Sequence, residues 1–167
     1  VMLLDQISGV APSWVDRLTL ETLAAAEAPA IRRHLGRLEE FDRYSRFFSA
    51  MSDENIDRYV ERLDWGRMIA VGLYQDDDLI GIAELGWEKD GYPDIAEMAV
   101  TVDSAYRHRG IAGWLVKEVV ERGRKAGVRR MEACWISGND SIAKIMRGFG
   151  AQVWLNGSHW SGIAELD

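Results

Sequence analysis

Residues Met98 to Val116 read Met-Ala-Val-Thr-Val-Asp-Ser-Ala-Tyr-Arg-His-Arg-Gly-Ile-Ala-Gly-Trp-Leu-Val. An apolar run rich in β-branched residues ends at Val102, a short polar turn follows, and a glycine-bearing segment then opens a long amphipathic pattern. That order predicts a strand, a loop and a helix. In the loop, Arg107-His108-Arg109-Gly110-Ile111-Ala112 gathers cations and small residues on the first turn of the helix, where backbone N–H groups have no intrahelical partner. Side chains larger than those of Gly110 and Ala112 would stand between these donors and an incoming phosphate oxygen. The stretch is a candidate anion cradle.

Working outward, the helix from Gly110 buries Leu115, Val116, Val119 and Val120 and stops at Lys125-Ala126-Gly127, with cations and a glycine where a helix end favours them. Val128 to Ile136 is the next strand, and the intervening helix makes it parallel to the strand Ile95 to Val102. Before the cradle, Arg67 to Tyr74 and Leu79 to Trp87 form a hairpin across Gln75-Asp76-Asp77-Asp78, and residues 89–93 turn the chain into Ile95. After Ser137-Gly138-Asn139 come a short helix, Asp140 to Phe149, and two closing strands, Gln152 to Leu155 and His159 to Leu166, around Asn156-Gly157. Nearer the start, Trp14 to Leu20 reads as a first strand and Glu21 to Leu35 as a helical pattern that Pro29 breaks or restarts. Phe41 to Phe48 clusters aromatics, and Ser52 caps a helix whose stripe is Ile56, Tyr59, Val60 and Leu63. The expectation is an α/β fold: residues 1–13 as a terminal arm, and 14–167 as one domain with a mixed, mostly antiparallel sheet of about six to seven strands and a single parallel crossover.

With 167 residues and 47% hydrophobic content, the chain can build one sizeable core. A net charge of -7 argues against a general nucleic-acid binder and favours cationic partners. No apolar run approaches the ~20 residues that cross a bilayer, and Val1-Met2-Leu3-Leu4-Asp5 lacks the basic segment of a secretory signal, so a cytoplasmic protein with no membrane partner is expected. Cys134, the single cysteine, sits in an apolar run and reads as core. His34, His108 and His159 stand apart without ligand spacing, so no metal is expected. The basic group Arg122, Arg124, Lys125, Arg129 and Arg130 reads as a solvated helix end, and the seven tryptophans read mostly as core.

The segment Val102-Asp103-Ser104-Ala105-Tyr106-Arg107-His108-Arg109-Gly110-Ile111-Ala112 resembles the acetyl-CoA-binding signature of the GNAT superfamily of N-acetyltransferases, R/Q-x-x-G-x-G/A after a strand ending in valine. Asn139 with Gly150 resembles its second signature, and Tyr44-Ser45-Arg46-Phe47-Phe48 with Ala96-Glu97 looks like the bacterial Pat-type protein-lysine acetyltransferases. The resemblance implies acetyl-CoA as co-substrate and a primary amine, on a protein lysine or a small molecule, as acceptor. It further implies that backbone groups of Val100, Thr101 and Val102 hold the pantetheine arm, that N–H groups of Arg107, His108, Arg109, Gly110, Ile111 and Ala112 hold the pyrophosphate, and that Asn139 contacts the CoA arm. Met146 then falls where many members carry a tyrosine that protonates the departing thiolate, which methionine cannot do, and Ala151 replaces the usual larger residue after Gly150.

Amine attack on a thioester needs a base to take one proton and a donor to steady the oxyanion. Glu97 is the only carboxylate in the strand leading into the cradle, and it is the candidate base. Three activities remain open at this stage: acetyl transfer to an amine, transfer of a longer acyl group, and a non-catalytic acyl-CoA-sensing module.

Overall fold

The computed structural model describes residues 17–88 and 93–167. The proposed arm, the start of the first strand and most of the turn before Ile95 lie outside them. Among the described residues seven strands form one sheet: β1 (Leu18–Thr22), β2 (Met68–Gln75), β3 (Asp78–Gly86), β4 (Ile95–Val102), β5 (Arg130–Ile136), β6 (Gln152–Asn156) and β7 (His159–Glu165). Their order is β1-β2-β3-β4-β5-β7-β6. All neighbours are antiparallel except β4 and β5, which are joined by helix α4 (Ile111–Ala126). This is the expected α/β fold with one parallel crossover.

Helices cover both faces. On one, α4 and α5 (Asp140–Gly148) lie over a core containing Val71, Leu85, Met98, Leu115, Val119 and Met131. On the other, α1 (Ala28–Arg37) and α3 (Asp53–Glu61) lie over Leu23, Ile31, Leu35, Ile56, Val60 and Ile82, with α2 (Glu40–Phe47) between them in sequence. Strand β4 serves both layers by simple alternation: Ala96, Met98 and Val102 are buried toward α4, whereas Glu97, Ala99 and Thr101 face the other way.

Local chemistry sets the helix ends. Ser52 Oγ accepts the Asn55 N–H at 3.2 Å and caps α3. Gly127, at φ 102°, ends α4 as its N–H and that of Val128 reach Arg124 and Gly123 carbonyls (3.1 and 2.9 Å). Pro29 proves to be a start rather than a break. Its missing N–H suits the first turn of α1, so the chain before it is released to form β1 and a 3-10 turn at Ala25–Glu27 instead of a longer helix.

Two core assignments are corrected. Cys134 is exposed: strand alternation turns Met131, Ala133 and Trp135 to the core, leaving Glu132 and Cys134 on the opposite face. Among the described tryptophans only Trp135 is buried, and Trp154, on edge strand β6, is 46% exposed. The basic group is divided between two elements: on α4, Arg122 pairs with Glu118 and Arg124 with Glu121, while Arg130 at the start of β5 pairs with Asp94. Among the described residues, no helix is long and apolar enough to cross a membrane.

Leu115 has no exposed surface and joins α4 to the sheet. Leu115→Ala should lower the unfolding free energy by about 2–5 kcal/mol in urea denaturation, whereas Trp154→Ala should change it by less than about 1 kcal/mol.

Candidate active site

Strands β4 and β5 pair over three residues only, Ile95 with Arg130, Ala96 with Met131 and Glu97 with Glu132. Beyond that point both continue, β4 to Val102 and β5 to Ile136, without pairing to each other. A wedge opens between them. It is part of a cavity of about 390 Å³ lined by Glu97 to Val102 on one side and Cys134, Gly138 and Asn139 on the other, with residues of α2 above.

At the wide end of the wedge the chain leaves β4 through Asp103 and enters α4. His108 and Gly110 have left-handed backbones (φ 61° and 79°), so the loop turns sharply before the helix begins. The first intrahelical bond runs from Trp114 N–H to Gly110 O at 3.1 Å, so the amides of Ile111, Ala112 and Gly113 precede the ladder. A Cβ on Gly110 would meet no protein atom within 4 Å. The glycine is therefore required by its φ, and packing places no demand on it. Here a second cavity, about 700 Å³, is lined by Arg107, His108, Gly110, Ala112, Lys117 and Lys144.

The chain from residue 32 to residue 150 matches the model of the acetyltransferase (GNAT) family. The chain belongs to the GNAT acetyltransferase family. Solved structures agree in fold. The GNAT domain of PAT from S. lividans is 18% identical with a TM-score of 0.73, over 88% of this chain and 89% of that one. YncA from Salmonella typhimurium, a putative acetyltransferase crystallised with acetyl-CoA, is 17% identical with a TM-score of 0.66, over 90% and 95%. The PaiA N-acetyltransferase of Thermoplasma acidophilum, crystallised with coenzyme A, is 18% identical with a TM-score of 0.66, over 89% and 98%.

In this GNAT chain, Glu97 stands where the pairing ends. It is exposed, and its carboxylate makes no hydrogen bond or ion pair with another described residue. It lines the wedge and also a third cavity, about 830 Å³, that reaches past Glu84, Trp87, Asp94 and Glu132 toward α3. Arg46 of α2 lines both cavities as well. Its Nη2 donates to Glu84 Oε2 at 2.7 Å and to Tyr59 Oη at 2.9 Å, and Tyr59 Oη donates to the same Glu84 oxygen at 3.2 Å. The guanidinium lies 4.8 Å from the Phe47 ring centroid.

Most of the residues singled out from the sequence come together. Glu97, Val100, Thr101, Val102, Arg107, His108, Ala112 and Asn139 line the wedge, and Gly110 and Ile111 line the cavity at its wide end. Asn139 also caps α5, accepting from Ile142 N–H at 3.4 Å. Arg109 lines neither cavity: its Nη2 donates to Ala105 O, and its guanidinium lies 5.5 Å from the Tyr106 ring centroid. Arg107 pairs with Asp42 of α2. Met146 is fully buried against β7 and lines none of the three cavities. Sequence reasoning missed Lys117, Lys144 and the Arg46–Tyr59–Glu84 cluster. Lys117 sits seven residues past Gly110, two helical turns along, which was the available signal. The cluster joins residues on α2, α3 and β3 and left none.

Burial pushes the Tyr59 hydroxyl above its ordinary value, and the Glu84 charge adds to this. For Arg46, burial acts against the proton, but the charges of Glu84, Tyr59 and Glu97 outweigh it and the pKa rises. Folding therefore favours the protonated tyrosine, so its share of stability is complete below about pH 10 and declines as pH climbs toward the raised value. Tyr59→Phe should be about 1.5–3 kcal/mol less stable than the wild type at neutral pH. In urea titrations at a series of pH values, this gap should stay constant up to about pH 10 and narrow above it; narrowing that is complete by about pH 8 would contradict the assignment.

Proposed function

We propose that this GNAT protein is an acetyl-CoA-dependent N-acetyltransferase that acetylates a primary amine by direct attack on the thioester. One observation carries the reading: the stretch of β4 that β5 leaves unpaired runs from an exposed carboxylate, Glu97, to a helix start whose first amides precede the hydrogen-bond ladder, behind a left-handed Gly110. Backbone groups of Val100 and Val102 offer an extended arm the ladder that β5 withholds, whereas those of Thr101, between them, turn toward β3. The amides from Arg107 to Ala112, with Lys117 and Lys144 nearby, suit a pyrophosphate. Asn139, on the facing wall, would contact the CoA arm.

In the reaction, the neutral amine attacks the thioester carbonyl carbon, the C–N bond forms and the C–S bond breaks, and CoA leaves as the thiolate. Glu97 accepts the proton that the arriving ammonium ion must lose before it attacks, and the second proton, shed by the nitrogen once the C–N bond has formed, passes to the departing thiolate. The cavity beyond it is lined by Asp64, Glu84, Glu88, Asp94 and Glu132 against Arg46 and Arg67, and this excess of carboxylates supports an acceptor that arrives as an ammonium ion. A protein lysine and a small-molecule amine both meet that description.

Thiol release from acetyl-CoA in the presence of a panel of amines is the direct assay, and release that no amine accelerates would refute the reading. Acetyl-CoA at ~100 times its dissociation constant should stabilise the protein by ~2.7 kcal/mol. Gly110→Glu should abolish that shift, because the side chain is strained at positive φ and sets a like charge before the phosphates. Glu97→Gln should lower the rate by ~100 to 10,000-fold at neutral pH with acetyl-CoA binding near wild type. Part of the activity should return as pH rises toward the amine's own pKa, ~10 for a lysine. A Glu97→Gln enzyme matching the wild type in rate and pH profile would exclude Glu97 as the base.

A further inference from the structure

Helix α1 packs on the sheet through a stripe made of Ile31, Leu35 and, just past its end, Leu38, all buried. His34 lies in the same stripe and has no exposed surface. An imidazole is a costly occupant of an apolar position unless its nitrogens are engaged. Both are engaged by the segment that leads from β4 into the cradle. Nε2 lies 2.8 Å from Thr101 Oγ1, and Nδ1 lies 2.7 Å from Asp103 Oδ1, a close polar contact without the in-line geometry of a hydrogen bond.

Arg37, one turn further along α1, takes the other Asp103 oxygen, Oδ2, through Nε and Nη2 (3.2 and 2.9 Å), and its Nη2 also donates to Leu79 O at 2.7 Å. Asp103 is the hinge of the region. Its N–H donates to Ile80 O at 2.8 Å, continuing the β3–β4 pairing, while its carbonyl accepts from Tyr106 N–H at 2.9 Å and starts the turn that becomes the loop. Thr101 lines the wedge. The two residues His34 holds therefore stand at the last turn of the open strand and the first turn of the loop, and neither belongs to a hydrophobic core.

We propose that His34 is a positioning residue for the CoA site, which fixes from within α1 the spacing between the unpaired edge of β4 and the helix-start amides. Pantetheine and pyrophosphate are covalently joined, so two sub-sites that bind them must keep one separation to act together. A leucine of similar size could fill the stripe but would leave Thr101 Oγ1 and Asp103 Oδ1 without their buried partner. This inference rests on the reading that the wedge takes acetyl-CoA.

The test is calorimetric titration of coenzyme A into the wild type, His34→Leu, His34→Gln, Thr101→Val and the His34→Leu/Thr101→Val pair, with steady-state kinetics and a melting temperature for each. His34→Leu should weaken coenzyme A binding about tenfold and raise the acetyl-CoA KM by the same factor, while kcat at saturating acetyl-CoA changes less than about twofold. His34→Gln, whose amide can reach the Nε2 position, should recover part of the affinity. Thr101→Val should weaken binding by itself and add little on top of His34→Leu. A lowered melting temperature with coenzyme A affinity and KM unchanged would make His34 a purely structural residue and overturn the proposal. If His34→Leu does not fold, Thr101→Val decides, and wild-type affinity in that variant overturns the proposal. A wild type that fails to bind coenzyme A overturns this inference together with the reading beneath it; a wild type that binds, with variants that bind equally well, overturns this inference alone.

Discussion

β4 and β5 run together only from Ile95 to Glu97 on one strand and from Arg130 to Glu132 on the other, and everything beyond on both strands must find other partners for its backbone. The sheet around them leaves no slack. β3 grips β4 along its other edge from Gly81 to Gly86, and β7 grips β5 along its whole length. The two halves of the sheet therefore diverge as rigid units, and the wedge between them is held open by pairing elsewhere. Helix α4, buried along Leu115, Val116, Val119 and Val120, spans the crossover and fixes its own N-terminus at the wide end of the opening.

Charge is distributed along this opening in a way the net value of -7 conceals. The wide end carries Arg107, His108, Lys117 and Lys144, next to a helix N-terminus. The narrow end carries Glu97 beside Glu132, with Glu84 one strand over. Arg46 stands between the narrow end and α2, and its cation is matched by Glu84 and shielded by two aromatic rings. A molecule with an anionic tail and an acyl head, and a second one bearing a cation, would be sorted to opposite ends of one channel.

The order of elements was legible because each is marked by period or punctuation: the alternation in Ile95 to Val102, the stripe after Ser52, the glycine at 127. The cradle was legible for the same reason, since Gly110 and the cations around it fall within six residues. What the sequence hid was decided by the third dimension. The direction of Glu97, the exposure of Cys134 and the burial of Met146 each depend on which face of a strand or helix meets a neighbour, and an apolar run reads alike on either face. Pro29 was ambiguous because it can end a helix or begin one, and the choice was made by β1 pairing with β2 ahead of it. The buried cluster of Arg46, Tyr59 and Glu84 and the contacts of His34 join residues from different elements, with partners as far apart as 67 positions, a separation at which spacing carries no signal.

The central claim is that the edge of β4 left open by the splay is the surface that acetyl-CoA pairs with. Amide hydrogen exchange with and without saturating acetyl-CoA addresses it directly, because an amide that gains a partner slows its exchange. Protection should appear at the amides of Val100 and Val102, which face the open edge, and in the first turn of α4 from Ile111, with β1, β2 and β6 unchanged. Uniform protection across the sheet, or none in β4, would contradict the account.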